Sequence, residues 1–125
     1  MTNSIARWQA KNLATSPLTN PGFFLSPVAD QSFPANFNLP LNLQFNNNSS
    51  DGYSDVQVEY SGPGAVYIQS ANPELIGTIG AASAGFTNTL IGGGAGGPLP
   101  LTATLTGELL GDVYQSVVTF NVTFA

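Results

Sequence analysis

Apolar and polar residues alternate with a period of two in four stretches of the chain, residues 37–45, 55–60, 99–106 and 118–124. Because successive side chains of a strand point to opposite faces, this pattern predicts strands with one buried face. The pattern is clearest at the end of the chain, where Val118, Phe120, Val122 and Phe124 share one face. No stretch has the period of an α-helix, which predicts an all-β protein.

Turn-forming residues separate the predicted strands. The segment NNNSSDG at 46–52 predicts a turn that joins the first two strands as a hairpin, and Gly111 predicts a turn before the last strand. Pro40 places the first strand at an edge or a bulge, because proline lacks the backbone donor that a central strand needs.

Shorter signals predict the rest of the sheet structure. GPG at 62–64 and NPE at 72–74 predict turns that lead into strands at 65–68 and 75–79. The Gly- and Ala-rich residues 80–97 predict either a weak strand within a long loop or a closely packed contact surface. We therefore expect a β-sandwich or jelly roll of about six to eight short antiparallel strands over residues 35–125.

Residues 1–34 have a different character and predict an extended N-terminal arm. Prolines at 17, 21, 27 and 34 exclude a long helix. The arm carries both cations of the chain, and its apolar residues are too many for a solvated tail. We expect it to pack either on its own body or on a neighbouring subunit, and the expected assembly contacts are Ile5, Arg7, Trp8, Lys11, Phe23, Phe24 and Phe33.

Charged residues make up only 7% of the 125 residues, against about 25% in an ordinary globular protein. Asn, Ser, Thr, Gln and Gly must therefore cover most of the surface. A freely diffusing protein normally carries many surface charges of both signs, so this composition favours a subunit in permanent contact with its neighbours.

Few residues are available for catalysis or cofactor binding. The chain has no His and no Cys, so nucleophilic catalysis lacks its usual base, and zinc lacks its preferred ligands. A calcium loop is conceivable at Asn47, Ser49, Asp51 and Asp55, but Val58 stands where the bidentate Glu belongs, which favours a plain turn. We expect no enzymatic activity, no catalytic residue, no metal and no cofactor.

Charge and segment length also bear on partners and location. A net charge of −5 with two basic residues opposes binding to nucleic acid. Glycines and prolines interrupt the uncharged stretch 75–103, so we expect no membrane span and prefer packing over a membrane-penetrating role for it. The polar first 15 residues lack the pattern of a secretory signal, which predicts synthesis in the host cytoplasm.

Two resemblances to known families follow. Residues 101–125, LTATLTGELLGDVYQSVVTFNVTFA, resemble the closing strands of chaperone-usher pilin subunits, although the cysteine pair of that family is missing. In composition and architecture the whole chain resembles the decoration, or cement, proteins of tailed-phage capsids. That resemblance implies a β-rich body and an arm that staple neighbouring capsomers at a symmetry axis.

We therefore expect a virion structural protein that decorates and stabilises a phage capsid. Its expected partners are the major capsid protein or identical subunits, with a trimer favoured and no nucleic acid or membrane involved. One alternative is a subunit of a pilus-like filament at the cell surface, joined by strand exchange. Another is a carbohydrate- or ligand-binding module, for which Trp8, Tyr53, Tyr60 and Tyr67 are candidate stacking residues.

Overall fold

The computed structural model describes residues 17–125. These residues form ten strands and one 3₁₀ helix, Pro63–Tyr67. In chain order the strands are β1 (Phe23–Leu25), β2 (Gln31–Phe33), β3 (Leu39–Leu41), β4 (Gln44–Asn47), β5 (Tyr53–Ser61), β6 (Glu74–Ile79), β7 (Ser83–Phe86), β8 (Thr89–Ile91), β9 (Gly96–Leu109) and β10 (Asp112–Phe124).

Five strands form one large sheet in the order β2-β10-β9-β5-β6. Its centre is the long hairpin of β9 and β10, in register from Leu109 opposite Asp112 to Leu99 opposite Val122, after which a shift places Gly96 opposite Phe124. At one edge β2 runs parallel to the end of β10, with Phe33 opposite Phe124. The prediction of purely antiparallel strands is therefore wrong at this edge, because β2 returns to the sheet through a crossover from the other layer.

The remaining strands form the second layer as two small sheets, β1-β4-β7 and β3-β8. We call these five strands the uncharged layer, because none of them contains Asp, Glu, Lys or Arg. Seventeen buried apolar residues from both layers form one core. The all-β prediction is confirmed, and the arrangement is consistent with the expected β-sandwich.

The alternation in the sequence predicts the inner face of the long strands correctly. Phe120, Val122 and Phe124 of β10 are at most 3% exposed. In the first predicted strand Leu41, Leu43 and Phe45 are buried as expected, but Phe37 is 62% exposed and precedes the strand. Pro40 lies in β3, which pairs only with β8, as its missing donor requires.

The predicted hairpin around residues 46–52 is wrong. Strand β4 pairs with β1 and β7, whereas β5 pairs with β6 and β9, so this turn joins the two layers. The buried side chain of Asn47 holds the crossing, because its amide donates to the backbone oxygens of Asp51 at 2.8 Å and Gly80 at 3.0 Å.

The predicted strand at 65–68 is mostly the 3₁₀ helix. Gly62 precedes it at a φ of 86°, and Pro63 begins it, which suits a ring that needs no backbone donor. Gly64 packs so closely on β9 that an added Cβ would lie 3.0 Å from the side chain of Leu101. The helix thus covers one end of the core.

Residues 80–97 contain β7, β8 and the start of β9, so the weak-strand interpretation holds for part of this stretch. Gly85 of β7 lies opposite Phe45 of β4. A Cβ at Gly85 would approach the Phe45 ring to 2.6 Å, so the glycine leaves room for the ring to cover it. The small residues of this segment thus serve close packing within the chain.

Candidate assembly surfaces

The expected arm contacts fall into three groups. Ile5, Arg7, Trp8 and Lys11 lie outside the described residues. Phe23 is 1% exposed and stacks on Tyr53 with ring centroids 4.1 Å apart, so it belongs to the core. Phe24 is half-buried, and Phe33 is half-buried against the ring of Phe124.

The boundary expected at residue 34 therefore needs correction. Leu18 forms a bridge with Tyr114, and strands β1 and β2 pair within the two layers of the sandwich. The alternative that this segment packs on its own body is the correct one for residues 18–33. The apolar residues of this segment pack here because β10 and β4 offer them unpaired edges.

The uncharged layer and the large sheet differ in their content of charged residues. None of the five strands of the uncharged layer contains Asp, Glu, Lys or Arg. Five of the seven acids of the chain stand on strands of the large sheet, and the other two, Asp30 and Asp51, lie in connecting loops. The strands of one layer thus carry acids and those of the other carry none, although the carboxylate of Glu74 reaches the second layer and accepts from the Asn88 amide and the Thr89 hydroxyl.

Apolar side chains are exposed on the uncharged layer. Phe86 of β7 is 60% exposed and Leu90 of β8 is 40% exposed, and Pro40 lies beside Leu90 in the β3–β8 pair. A cavity of about 310 Å³ opens next to Phe86 and contains no charged residue in its lining. Its walls come from residues 26–29 and 40–44, together with Gln31 and Phe33.

The outer face of the large sheet carries both polar and apolar side chains, the apolar ones being Leu75, Val113 and Val117, which are 77%, 39% and 50% exposed. Thr102, Thr104 and Thr106 alternate along β9, and the hydroxyls of Thr102 and Thr119 lie 3.0 Å apart across the β9–β10 pair. Glu59 is exposed on the neighbouring strand β5, opposite Thr104. This face differs from the uncharged layer in carrying acids, whereas both expose some apolar side chains.

Two acids from different strands come together on this face. Asp55 and Glu108 meet where a bulge interrupts the β5–β9 pairing, and Asp55 has a φ of 49°. A hydrogen bond with the side chain of Asp55, followed by the charge of Asp55, raises the pKa of Glu108 above its ordinary value. No signal in the sequence relates these residues, because they stand on separate strands.

On the side away from β9, β10 pairs with Leu18 near its beginning and with β2 at its end. An open edge lies between these two partners. Leu18 bonds with the Val113 oxygen and the Gln115 amide at 2.8 Å, and the Asn121 amide donates to Asp30 at 2.9 Å. Because the backbone groups of every second residue point to the same side of a strand, those of Val117 and Thr119 face this edge. Within residues 17–125 no strand pairs with them.

A groove of about 400 Å³ adjoins the open edge. Residues 19–21 and the half-buried Phe24 form one wall, and residues 115–117 form the other. Its lining has no charged residue. Phe24, an expected assembly contact, thus lies at a surface that can receive another segment.

The stacking residues expected for a carbohydrate site are largely inside the protein. Tyr53 is fully buried, Tyr60 is 2% exposed and Tyr67 is half-buried against Phe124. Burial raises the pKa of Tyr60, whose hydroxyl lies beside the side chains of Thr87 and Thr89. The tyrosines therefore do not form an exposed binding platform.

The described part of the chain has further features that bear on metal binding and on membranes. Residues 47–55 form a structured turn, in which the Asn47 oxygen accepts from the backbone and the hydroxyl of Ser49. Over residues 17–125 there is no group of three or more potential metal ligands. No helix in this range is long and apolar enough to span a membrane.

Comparison of the sequence with protein-family models and with curated proteins finds no match. The surfaces described above, and the fold that positions them, are therefore the basis for a functional assignment.

Proposed function

We propose that this chain is a structural subunit that docks into a larger protein assembly through its uncharged layer. The observation that carries the proposal is the unequal distribution of charge between the two layers, together with the exposed Phe86 and Leu90 on the side without charge. The centres of protein interfaces are poor in charged residues and rich in aromatic ones. The acidic outer face of the large sheet then remains in contact with solvent.

The assembly in this proposal is a phage capsid, and the chain is a decorating subunit on its surface. The support is the small β-sandwich, the low charge and the resemblance to cement proteins in composition. Its partners are the major capsid protein and identical subunits, with a trimer as the expected oligomer. A subunit of this kind acts by adding contacts between neighbours and needs no catalytic group.

A pilus-like filament is the second candidate, and one specific observation favours it. The open edge at Val117 and Thr119 is a surface to which another chain can add a strand. Filament growth by strand exchange would use that edge as its main contact, whereas capsid decoration would dock on the capsid mainly through the uncharged layer.

Sedimentation velocity and negative-stain images of the purified chain test the proposal. We expect discrete trimers, whereas open filaments would support strand exchange. A chain that stays monomeric at all concentrations would contradict the proposed subunit role and would favour the ligand-binding module instead.

A matched pair of variants tests which face docks. Phe86→Lys places a charge on the uncharged layer and should abolish assembly without lowering the melting temperature, because the side chain is 60% exposed. Leu75→Lys is the control, since Leu75 is 77% exposed and lies opposite Gln57 in the large sheet. Equal assembly by the two variants would exclude the uncharged layer as the docking face.

A further inference from the structure

We propose that the open edge of β10 receives residues 1–16 of a second copy of this chain as an added strand. This inference rests on the proposed role as an assembly subunit, and it names the partner and the contact. Within residues 17–125 no strand pairs with the backbone donors and acceptors of Val117 and Thr119 on this side, and these groups provide the site. Main-chain pairing of this kind supplies affinity, and the adjoining groove supplies selectivity.

The two ends of the edge limit what can pair with it. Leu18 stands opposite Tyr114 and accepts from the Gln115 amide, and Asp30 accepts from the Asn121 amide, which leaves residues 116–120 of β10 between them. The partner's own β10, with 13 residues, would collide with Leu18 or Gln31. A short extended segment fits the space.

Chain direction favours a segment from another copy. The chain at Leu18 runs parallel to β10 and meets it near its beginning, at Tyr114. Residues 1–16 thus join the described structure at the end of β10 that lies away from Asn121. They would have to reverse direction to reach their own open edge, whereas a neighbour's residues need no reversal.

Length and charge also suit this occupant. Sixteen residues span at most about 55 Å when extended, enough to reach an adjacent subunit. They carry Arg7 and Lys11 and no acid. One acid, Asp30, lies at the end of the receiving edge, where it accepts from the Asn121 amide.

The groove beside the edge accommodates the apolar residues of the segment. Its volume of about 400 Å³ lies within the range of ligand pockets, roughly 300–1,000 Å³. Val117 on its border is 50% exposed. Trp8, Ile5 and Leu13 are the large apolar residues of the segment that can fill the groove and cover Val117.

Amide hydrogen exchange of the full-length chain, measured across protein concentrations that span assembly, tests the proposal. The amides of Val117 and Thr119 should exchange about tenfold more slowly, or slower still, once oligomers form. Those of Ser116 and Val118, which face β9, should be protected at every concentration and serve as the internal control.

Each other result is decisive. If oligomers form while Val117 and Thr119 still exchange rapidly, the strand-addition proposal fails and the proposed subunit role survives. If the two amides are protected even in the monomer, the chain's own segment fills the edge and the proposal fails. If no oligomer forms, the proposed function fails with it.

A spin label identifies the added segment. Because the natural chain has no Cys, Ser4→Cys accepts a single nitroxide. The spin-labelled variant is mixed with isotope-enriched natural chain that carries no label. The nitroxide should then broaden the amide signals of Val117 and Thr119 in the isotope-enriched copy. Concentration-dependent protection without broadening would show that a different segment occupies the edge, which would overturn the proposal.

A backbone variant provides a separate check. Val117→Pro removes one edge donor and should reduce association, whereas Val117→Ala keeps the donor and should associate nearly as well. Equal association by the two variants, both folded, would contradict strand addition.

Discussion

At the residue scale, the core depends on a few large side chains of β10. Phe120 is 3% exposed, whereas its neighbour Thr119 points to the outer face. Phe120→Ala should therefore lower the free energy of unfolding by about 3–5 kcal/mol, the usual cost of a buried aromatic truncation. Thr119→Ala is the control and should cost little. Chemical denaturation measures both, and equally mild effects would show that Phe120 is not a core residue.

The acid pair on the outer face gives a prediction about pH. The raised pKa of Glu108 means that the folded protein holds this proton to higher pH than the unfolded chain does. The pair thus adds stability at acidic pH, and this stability is lost as the pH rises through the pKa of Glu108 in the folded state. Glu108→Gln removes the repulsion with Asp55 and should raise the melting temperature slightly at neutral pH.

The same variant should show no advantage at a pH low enough to protonate Glu108 in both states. Glu59→Gln controls for the loss of one negative charge on the same face. A melting temperature raised equally by both variants would attribute the effect to net charge rather than to the contact with Asp55.

At the element scale, the turn between β9 and β10 is unusual. Its two residues, Leu110 and Gly111, have φ values of 52° and 82°, as in the turns for which Asn-Gly is the preferred pair. Leucine avoids this conformation, and Leu110 is also 90% exposed. Leu110→Asn should therefore stabilise the fold by about 1 kcal/mol.

Thermal unfolding checks this prediction, with Leu110→Val as the comparison. The β-branched side chain suits a positive φ even less, so its melting temperature should fall below that of the natural chain. The opposite order of the two variants would mean that contacts of Leu110 outweigh the strain of its backbone.

The sequence predicts the β9–β10 hairpin because alternation and a turn lie next to each other along the chain. It mispredicts the partner of β5 because a turn at 46–52 does not reveal whether the following strand stays in the same sheet. The pairing of β2 with β10 joins Phe33 to Phe124 across most of the chain. No local pattern encodes such a contact, because the packing of the two layers determines it.

The same limit applies to the candidate surfaces. The absence of charge from residues 75–107 is visible in the sequence. That β7 and β8 lie beside β4 and β3, which are equally free of charge, follows only from the topology. The open edge at Val117 likewise could not be predicted, because the alternation in the sequence predicts the strand but not which strands lie beside it.

At the scale of the whole molecule, the uneven charge predicts how assembly responds to salt. The proposed docking through the uncharged layer would depend on apolar burial, which sulfate strengthens. Assembly should therefore persist in about 0.5 M sodium chloride, where exposed ion pairs are screened, and increase in sulfate. Arg7→Ala combined with Lys11→Ala should weaken assembly only at low salt. Dissociation of the natural oligomer by sodium chloride would instead assign the main contact to ion pairs.

The same distribution of charge makes the molecule orient itself at a charged boundary. A positively charged support attracts the acidic strands of the large sheet and leaves Phe86 and its uncharged neighbours facing the solution. A first adsorbed monolayer would then display the docking face and capture further copies from solution. On a negatively charged support this orientation has no electrostatic driving force.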